Sequence, residues 1–535
     1  MASSFPHMTS TGLAPSAWEI YSTYHQAFVQ QVSNGTRRPL TFPFDFLSLF
    51  SLIAFLCIPH KQNPVIYACR WPLVGLVTWF ELYKMGKNSG TGPDLGALTG
   101  MISVNIIMLS WTWLIFNTPQ WDAKRVEKRL VRVRVVKNME NAQLSEELSL
   151  TDEKRPEKLA VENFSQSKAE YHEKKTEYFW QPYPNKLGER IFWVLDLLFS
   201  SRGAGWNWAI STIPPLTPDL LSKLEIPASG DSDPSISFAE KKCSKTRCKH
   251  LLHELCVFIS SYLAVDILAT IMIYDPYFKF GPNTYTLPSY LQNLHPSILQ
   301  FYRLLLTSVT ISLGMTIFFS QNHIISAHIL GPRVLGVRGE HWYYPRIWGD
   351  VSDILDRGLG GLWGSFWHQT YRNFFTAPTK YLLKKCYIKP RSFTAKIAGL
   401  FFAFGLSAFL HWAPSKTSST STRPFDQALF FLLQGVGIAL QDLLCNIFSP
   451  FTKKLPVFIR QTSNVIYTLT WLYLTGSFAA DDYARSGVWL MKPLPFSPME
   501  ALGLGEHNSY RHFMKSNGFL WYTGKHWWQS GVTLI

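Results

Sequence analysis

Of the 535 residues, 47% are hydrophobic and 15% aromatic against 16% charged, and the charges are bunched. Between the charged blocks lie runs of roughly 20 apolar residues, enough to cross about 30 Å of hydrocarbon, which excludes an ordinary soluble enzyme. The formal net charge of +15 does not point to nucleic acid, because the basic residues flank the apolar runs as orientation signals and as contacts for anionic headgroups or ligands.

The pattern predicts an all-α polytopic membrane protein with about eight transmembrane helices and cytosolic interfacial helices. Residues 1–37 are polar and read as a loosely structured lumenal segment, with Asn34-Gly35-Thr36 as an N-glycosylation acceptor pattern. The first apolar run starts near Leu40 and reads as a span rather than a signal peptide. Spans at 40–58, 64–83 and 97–117 make residues 38–118 the first membrane unit. Asp45 and Arg70 either pair there or sit near its interfaces.

Residues 119–250 form a basic cytosolic loop. It opens with KRVEKRLVRVRVVK, mixed in sign, which predicts a solvated amphipathic helix followed by a flexible linker. The part from Phe179 to Trp208 has an amphipathic middle, Trp193 to Phe199. It ends in Arg202-Gly203-Ala204-Gly205-Trp206, the pattern of an interfacial helix and a tight basic-aromatic turn. Residues 209–240, rich in Pro and Ser, read as loop. The seven cysteines are scattered, and Cys243 and Cys248 lack a second pair at zinc-site spacing, so neither a metal site nor a disulfide framework is expected.

Residues 251–480 carry further spans near 251–274, 298–320, 393–411, 425–448 and 462–480. Val488 to Leu494 is a shorter apolar piece, re-entrant or surface-lying. The tail, 481–535, mixes Trp, Lys and the histidines His507, His512 and His526, as an interfacial anchor would. The Lys/Arg bias puts 118–250 and 321–392 on the cytosolic side and the N-terminus with Asn34 in the lumen.

Two stretches carry the candidate chemistry. In Asp350–Asn373, helical spacing would put Gly364, His368 and Arg372 on one face, with Trp363, Trp367 and Tyr371 as an aromatic stripe beside it. In FFAFGLSAFLHW, His411 closes an otherwise apolar run. Gly405, Ser407 and Ala408 precede it as small residues suited to close helix approach, and Ser407, at i−4, is a candidate partner for the imidazole. An ionisable group in a span is costly and usually faces a partner or cavity, and a buried neutral imidazole suits the role of general base for an alcohol. The bland alternatives are a core histidine bonded to a carbonyl at a span end, and an aromatic belt around His368. Arg372 and Arg202 offer contacts to phosphate or carboxylate. Asp350, Asp353 and Asp356 resemble one metal-diphosphate motif, although Asp356 is equally placed to pair with Arg357 or Arg346.

The pairing of LWGSFWHQTYR (Leu362–Arg372) with FLHW (Phe409–Trp412) resembles the wax-synthase-like branch of the membrane-bound O-acyltransferases. ERIFWVLDLLFSSRGAGWNW (Glu189–Trp208) is similar to the cytosolic segment of fungal members that acylate terpenoid or meroterpenoid alcohols. The resemblance covers residues 178–480 and is strong in those three blocks. It implies a catalytic role for His411. At the position of His368 the family commonly has asparagine, so His368 either orients a substrate or, if protonated, stabilises charge.

The implied reaction is acyl transfer, with acetyl-CoA as co-substrate and no permanently bound cofactor. The acceptor is the hydroxyl of a small hydrophobic terpenoid-type alcohol of secondary metabolism, and the enzyme sits in the endoplasmic reticulum membrane. Trp363, Trp367, Gln369, Arg372, Arg202, Trp206 and Ser407 are the expected substrate contacts. Three rivals compete. One is a long-chain acyltransferase forming wax esters or acylglycerols. Another is a prenyltransferase, for which Asp481-Asp482 lacks the spacing of a second aspartate motif. The third is a transporter, weakened by the lack of an internal repeat of spans.

Overall fold

The computed structural model describes residues 15–90, 96–137, 169–225, 237–490, 496–505 and 519–534. His507, His512 and much of the linker after Lys137 lie outside the described residues. The described chain is mostly helical, and six helices are long and apolar enough to cross a membrane: Pro64–Lys87, Gly96–Phe116, Arg247–Met272, Pro296–Gly339, Phe393–Thr417 and Pro424–Ile447. Each matches an expected span. The expected span 40–58 is a 3₁₀ turn, Phe44–Phe46, and an eleven-residue helix, Leu47–Cys57. The expected span 462–480 lies within a thirty-residue helix, Val457–Ser486, which is not among the six.

The helices used below are α1 (Ala17–Ser33), α2 (Leu47–Cys57), α3 (Arg70–Lys87), α4 (Gly96–Ser110), α5 (Leu187–Phe199), α6 (Ser237–Met272), α7 (Pro296–His323), α8 (Ser352–Gly361), α9 (Arg372–Lys384), α10 (Phe393–Thr417), α11 (Pro424–Ile447) and α12 (Val457–Ser486). Their ends follow local chemistry. A reciprocal capping box of Ser16 and Glu19 starts α1. Ser392 caps α10 by accepting from the Ala395 amide at 3.1 Å. Gly487, in the left-handed region at φ 75°, stops α12.

Contacts among the helix ends sort into two sets. On one side, Arg37 donates to Ser418 O, Tyr277 Oη donates to Asp481, and Phe42 bridges Val532 of the C-terminal hairpin. On the other, Gln120 donates to Leu56 O and Ile58 O, Lys384 pairs with Asp122, and Arg202 donates to the carbonyls of Pro345 and Arg346. Asp45 pairs with Arg38 and not with Arg70, which donates to Tyr67 O and lies over that ring.

Three expectations are corrected. Residues 17–33, expected to be loose, are helical, because the capping box satisfies the first turn and Ile20, Tyr21 and Phe28 are buried. The Pro/Ser-rich stretch contains a short helix, Pro218–Glu225. The basic run after Trp121 is a strand, β1 (Arg125–Lys137), paired antiparallel with β2 (Ala169–Gln181) from Arg125↔Gln181 to Lys137↔Ala169. Val131, Val133 and Val135 alternate with Arg132 and Arg134, a period of two in β-branched residues that outweighs the helical tendency of the charged ones. The base of the hairpin is locked by charge. Asp196 of α5 accepts from Arg125 at 3.0 Å and from both Nε and Nη2 of Arg338, which also pairs with Glu127. Such half-buried charges are tolerated because each finds its opposite.

The largest apolar cluster joins α2, α3, α4, α5, α9 and α10 through Leu52, Val74, Val104, Trp193, Phe374, Leu410 and Ala413. It holds the α10 segment that carries His411 against α4.

Candidate active site

The Asp350–Asn373 stretch is not one helix. Helix α8 bends at Gly358 (φ 56°), where the Gln441 carboxamide packs 2.2 Å from the point a Cβ would occupy. Gln441 Oε1 accepts from Leu359 N at 3.0 Å. The helix widens into a π turn over Leu362–Phe366, breaks at Trp367 (ψ 143°), and α9 begins at Arg372. The expected shared face of Gly364, His368 and Arg372 is therefore corrected. The break frees carbonyls, and polar side chains of the same stretch satisfy them. Gln369 Nε2 donates to Trp363 O (3.1 Å) and Trp367 O (2.5 Å), while Arg372 donates to Gly364 O and to Gln369 Oε1 (2.9 Å). Gln369 and Arg372 thus build the turn that presents His368.

His368 follows Trp367 into an aromatic corner made with Trp348. Its Nδ1 is buried without a hydrogen-bond partner among the described residues. Burial, reinforced by the nearby Arg202 guanidinium, pushes the imidazole down from 6.5 to about 4, so it is neutral at physiological pH. Of the two roles considered for it, the neutral geometry favours orientation over charge. A depressed pKa means the unfolded chain binds the extra proton first. Its stabilising contribution is therefore complete above pH 6.5 and is lost as pH falls through about 4. A His368→Gln variant is expected to show a flatter fall in melting temperature than wild type across that window, with the two changing in parallel above it. Parallel acid limbs in a detergent melt series would contradict this.

Two expected ligand contacts have structural duties. Arg202 spends Nη1 on Arg346 O (2.6 Å) and Nη2 on Pro345 O (2.7 Å), strapping the segment before Trp348. It is largely buried, which pushes it down to about 10, still cationic at neutral pH. Trp206 is 2% exposed in an aromatic core, 5.0 Å from Trp193 and 5.8 Å from Trp208. The turn holding both needs glycine at 203 and 205, at φ 70° and 73°, and at Gly205 a Cβ would sit 2.6 Å from the Tyr343 ring.

His411 packs among side chains of the π turn after α8, of α10, of α11 and of α12. Phe431 stacks on its ring at 3.9 Å between centroids and 17° between planes. Trp363 packs against Phe430 and Phe431 and donates through Nε1 to Gln434 at 3.3 Å. Ser407 is buried on the same helix, but the partner of His411 Nδ1 is Tyr483 of α12, at 3.3 Å. The turn that presents His368 adjoins His411 through a run of ring contacts, His368 to Trp367, Trp367 to Trp363, Trp363 to Phe431 and Phe431 to His411, although the chain brings the two histidines there on different elements. The close helix approach expected at Gly405 is found instead at Gly435, against Phe404, and at Gly100, against Ala413; nothing lies within 4 Å of a Cβ built on Gly405.

The three aspartates are used separately. Asp350 accepts from Ser352 N, Asp353 pairs with Arg357, and Asp356 accepts from Gln461. Among the described residues, no group of three or more His, Cys, Asp or Glu is placed to hold a metal ion.

Sequence reasoning missed three features. Tyr483 is one. Gln427, Gln434 and Gln441, seven residues apart and each under 9% exposed, form a polar seam on α11; their heptad spacing in an apolar helix was a readable signal. His250, His323, His328 and His341 gather with Glu254 where α6 meets the end of α7, with His250 Nδ1 3.0 Å from His328 Nε2 and His323 3.3 Å from Glu254.

These features define a polytopic helical membrane protein whose bundle holds His411 next to the turn that presents His368. Residues 344–433, which include both His368 and His411, match the model of the Membrane bound O-acyl transferase family. The chain is 22% identical over 321 residues to an acetyltransferase of Arthrobotrys oligospora, covering 54% of this chain and 58% of that protein. It is 32% identical over 104 residues to the acetyltransferase spyB of Aspergillus fumigatus, covering 19% and 17%. To the O-mevalon transferase macI of Penicillium terrestre it is 23% identical over 299 residues, covering 53% and 60%. The match thus spans less than two thirds of each of these relatives. No solved structure matches. The chain resembles the membrane-bound O-acyltransferases, and within them fungal acetyltransferases.

Proposed function

We propose that this protein is an integral-membrane O-acetyltransferase that moves an acetyl group from acetyl-CoA to a hydroxyl of a hydrophobic, terpenoid-type acceptor in secondary metabolism. The observation that carries the reading is His411, held inside the bundle by Phe431 and Tyr483 and lying in the same family-matched segment as His368.

His411 takes the acceptor's proton as the alcohol oxygen attacks the thioester carbonyl. The new C–O bond forms, the C–S bond breaks, and the proton passes to the departing sulfur to give the free thiol. The buried Nδ1 of His368, without a hydrogen-bond partner among the described residues, is available to a substrate oxygen. It orients a substrate oxygen beside His411. Trp363, Trp367 and Phe431 form the apolar surroundings of the site and suit a terpenoid skeleton. No metal is required by the step.

The eight-span arrangement adds the 40–58 and 462–480 segments to the six long apolar helices. It places the β1–β2 side in the cytosol, where the polyanionic donor is, and exposed Asn34 in the lumen of the endoplasmic reticulum, available for glycosylation. Helix α5, with Leu187, Phe192 and Phe199 exposed, lies along the cytosolic interface.

The test is a microsomal assay with labelled acetyl-, octanoyl- and palmitoyl-CoA against farnesol, ergosterol and diacylglycerol. Ester formed from acetyl-CoA and a terpenoid alcohol supports the reading. Ester formed only from the long-chain donors assigns the protein to lipid synthesis instead, and no ester from any pair counts against acyl transfer.

A further inference from the structure

We propose that Tyr483 is the positioning residue of the catalytic histidine, accepting a hydrogen bond from His411 Nδ1–H and so reserving Nε2 as the base. This rests on the acyl-transfer reading above. The imidazole has two contacts that fix it: Phe431 covers one ring face, and the Tyr483 hydroxyl meets Nδ1 at 3.3 Å. Tyr483 is the one hydrogen-bond partner of this ring among the described residues, and His411 is in turn the one partner of the Tyr483 hydroxyl there. The phenol ring itself packs with Ala408, Phe430, Phe431 and Ala479. Its position is therefore set by apolar packing, and its oxygen is free to act on the histidine.

The chemistry follows from the two ring nitrogens. A neutral imidazole carries one proton, and an acceptor at Nδ1 keeps it there, leaving the Nε2 lone pair for the alcohol. When Nε2 takes the alcohol's proton, the charge on the ring strengthens the Nδ1–H···Oη bond at the moment of attack. The phenol keeps its own proton throughout, and the step balances as written above. A neutral oxygen suits an apolar chamber better than a carboxylate would, because it orients the ring without burying a second charge. Ser407, on the same helix as His411, is not the partner; the orienting group comes from α12, so the base is complete only when α10 and α12 pack together.

The experiment uses the full chain in microsomes, with labelled acetyl-CoA and farnesol or ergosterol, whichever wild type acylates faster. Tyr483→Phe keeps the ring and removes the oxygen. Its kcat is expected to fall about 100-fold, the low end of what general-base catalysis contributes, with KM for both substrates and the melting temperature held within error. A variant with unchanged kcat overturns the proposal, and so does one whose KM values rise in step with a lowered melting temperature, which marks a packing role. Should Tyr483→Phe fold poorly, 3-fluorotyrosine at 483 keeps the volume and weakens the oxygen as an acceptor. A lowered kcat at constant KM is then expected, and wild-type kcat overturns the proposal. Wild type that acylates neither alcohol from any donor counts against acyl transfer itself, whereas active wild type with an indifferent Tyr483→Phe rejects this inference alone.

Discussion

His411→Ala is expected to bring ester formation down by at least 100-fold, to the background of untransformed microsomes, while the protein remains inserted and folded. General-base catalysis contributes roughly 100- to 10,000-fold. Phe431 stacks on the imidazole and packs with Ala408 and Phe430, and Tyr483 is the ring's one hydrogen-bond partner among the described residues. His368 is a poor replacement, because it sits in the corner with Trp348 and Trp367 on a turn fixed by Gln369 and Arg372. Loss of the ring leaves a cavity against Phe431, so His411→Gln, which keeps most of the volume, is the control for packing. Label from acetyl-CoA appearing in ester at the wild-type rate in a well-expressed His411→Ala protein would sink the assignment of the base.

Gly100→Val is expected to disrupt the bundle itself. Gly100 lies where α4 meets α10 backbone to backbone: an added Cβ would be 2.2 Å from Ala413 O and 2.6 Å from Pro414 N. The Gly100 amide also donates to Thr417 Oγ1 at 3.0 Å, which ties the two helices at the same level. No rotamer relieves a clash with backbone, so the helices must separate, and α10 carries His411 two residues before Ala413. Overpacking of this kind costs roughly 3 kcal/mol, and here it acts on the wall of the site as well. The measurement is the melting temperature and acyl-transfer rate in detergent beside Gly405→Ala. That variant adds a methyl to α10 where nothing lies within 4 Å, and it is expected to behave as wild type. Equal melting temperatures for the two variants would show that the α4–α10 contact is not a tight one.

The apolar runs were legible because a bilayer demands a long uninterrupted stretch of hydrocarbon side chains from any helix that crosses it, and six of the expected spans are helices of that kind. His411 was legible for the same reason reversed: an ionisable group at the end of such a run is conspicuous. The hairpin β1–β2 was misread since its charges suggested helix, while the alternation of Val131, Val133 and Val135 pointed to a strand.

The helical face assumed for His368 failed on a different ground. A period of 3.6 describes a chain that stays helical, and nothing in LWGSFWHQTYR announces a π turn followed by a break at Trp367. Gln369 and Arg372 looked like ligand contacts because their chemistry fits phosphate or amide. Their actual partners, carbonyls freed by the break, exist only once the break has formed.

From residue types and spacing alone follow the membrane habit, the side of the bilayer expected for each basic loop, the two histidine-bearing blocks and the family they resemble. These depend on local composition and on short stretches of chain. Only the tertiary structure decided that Trp206 packs in an aromatic core, that Arg202 bonds the carbonyls of Pro345 and Arg346, that Gly100 rather than Gly405 sits at a close helix approach, and that Tyr483 meets His411. Apart from the Trp206 ring contacts, those join residues tens to hundreds of positions apart. Such a contact depends on how helices pack, and packing follows the shape of all the side chains together rather than the pattern along any one helix.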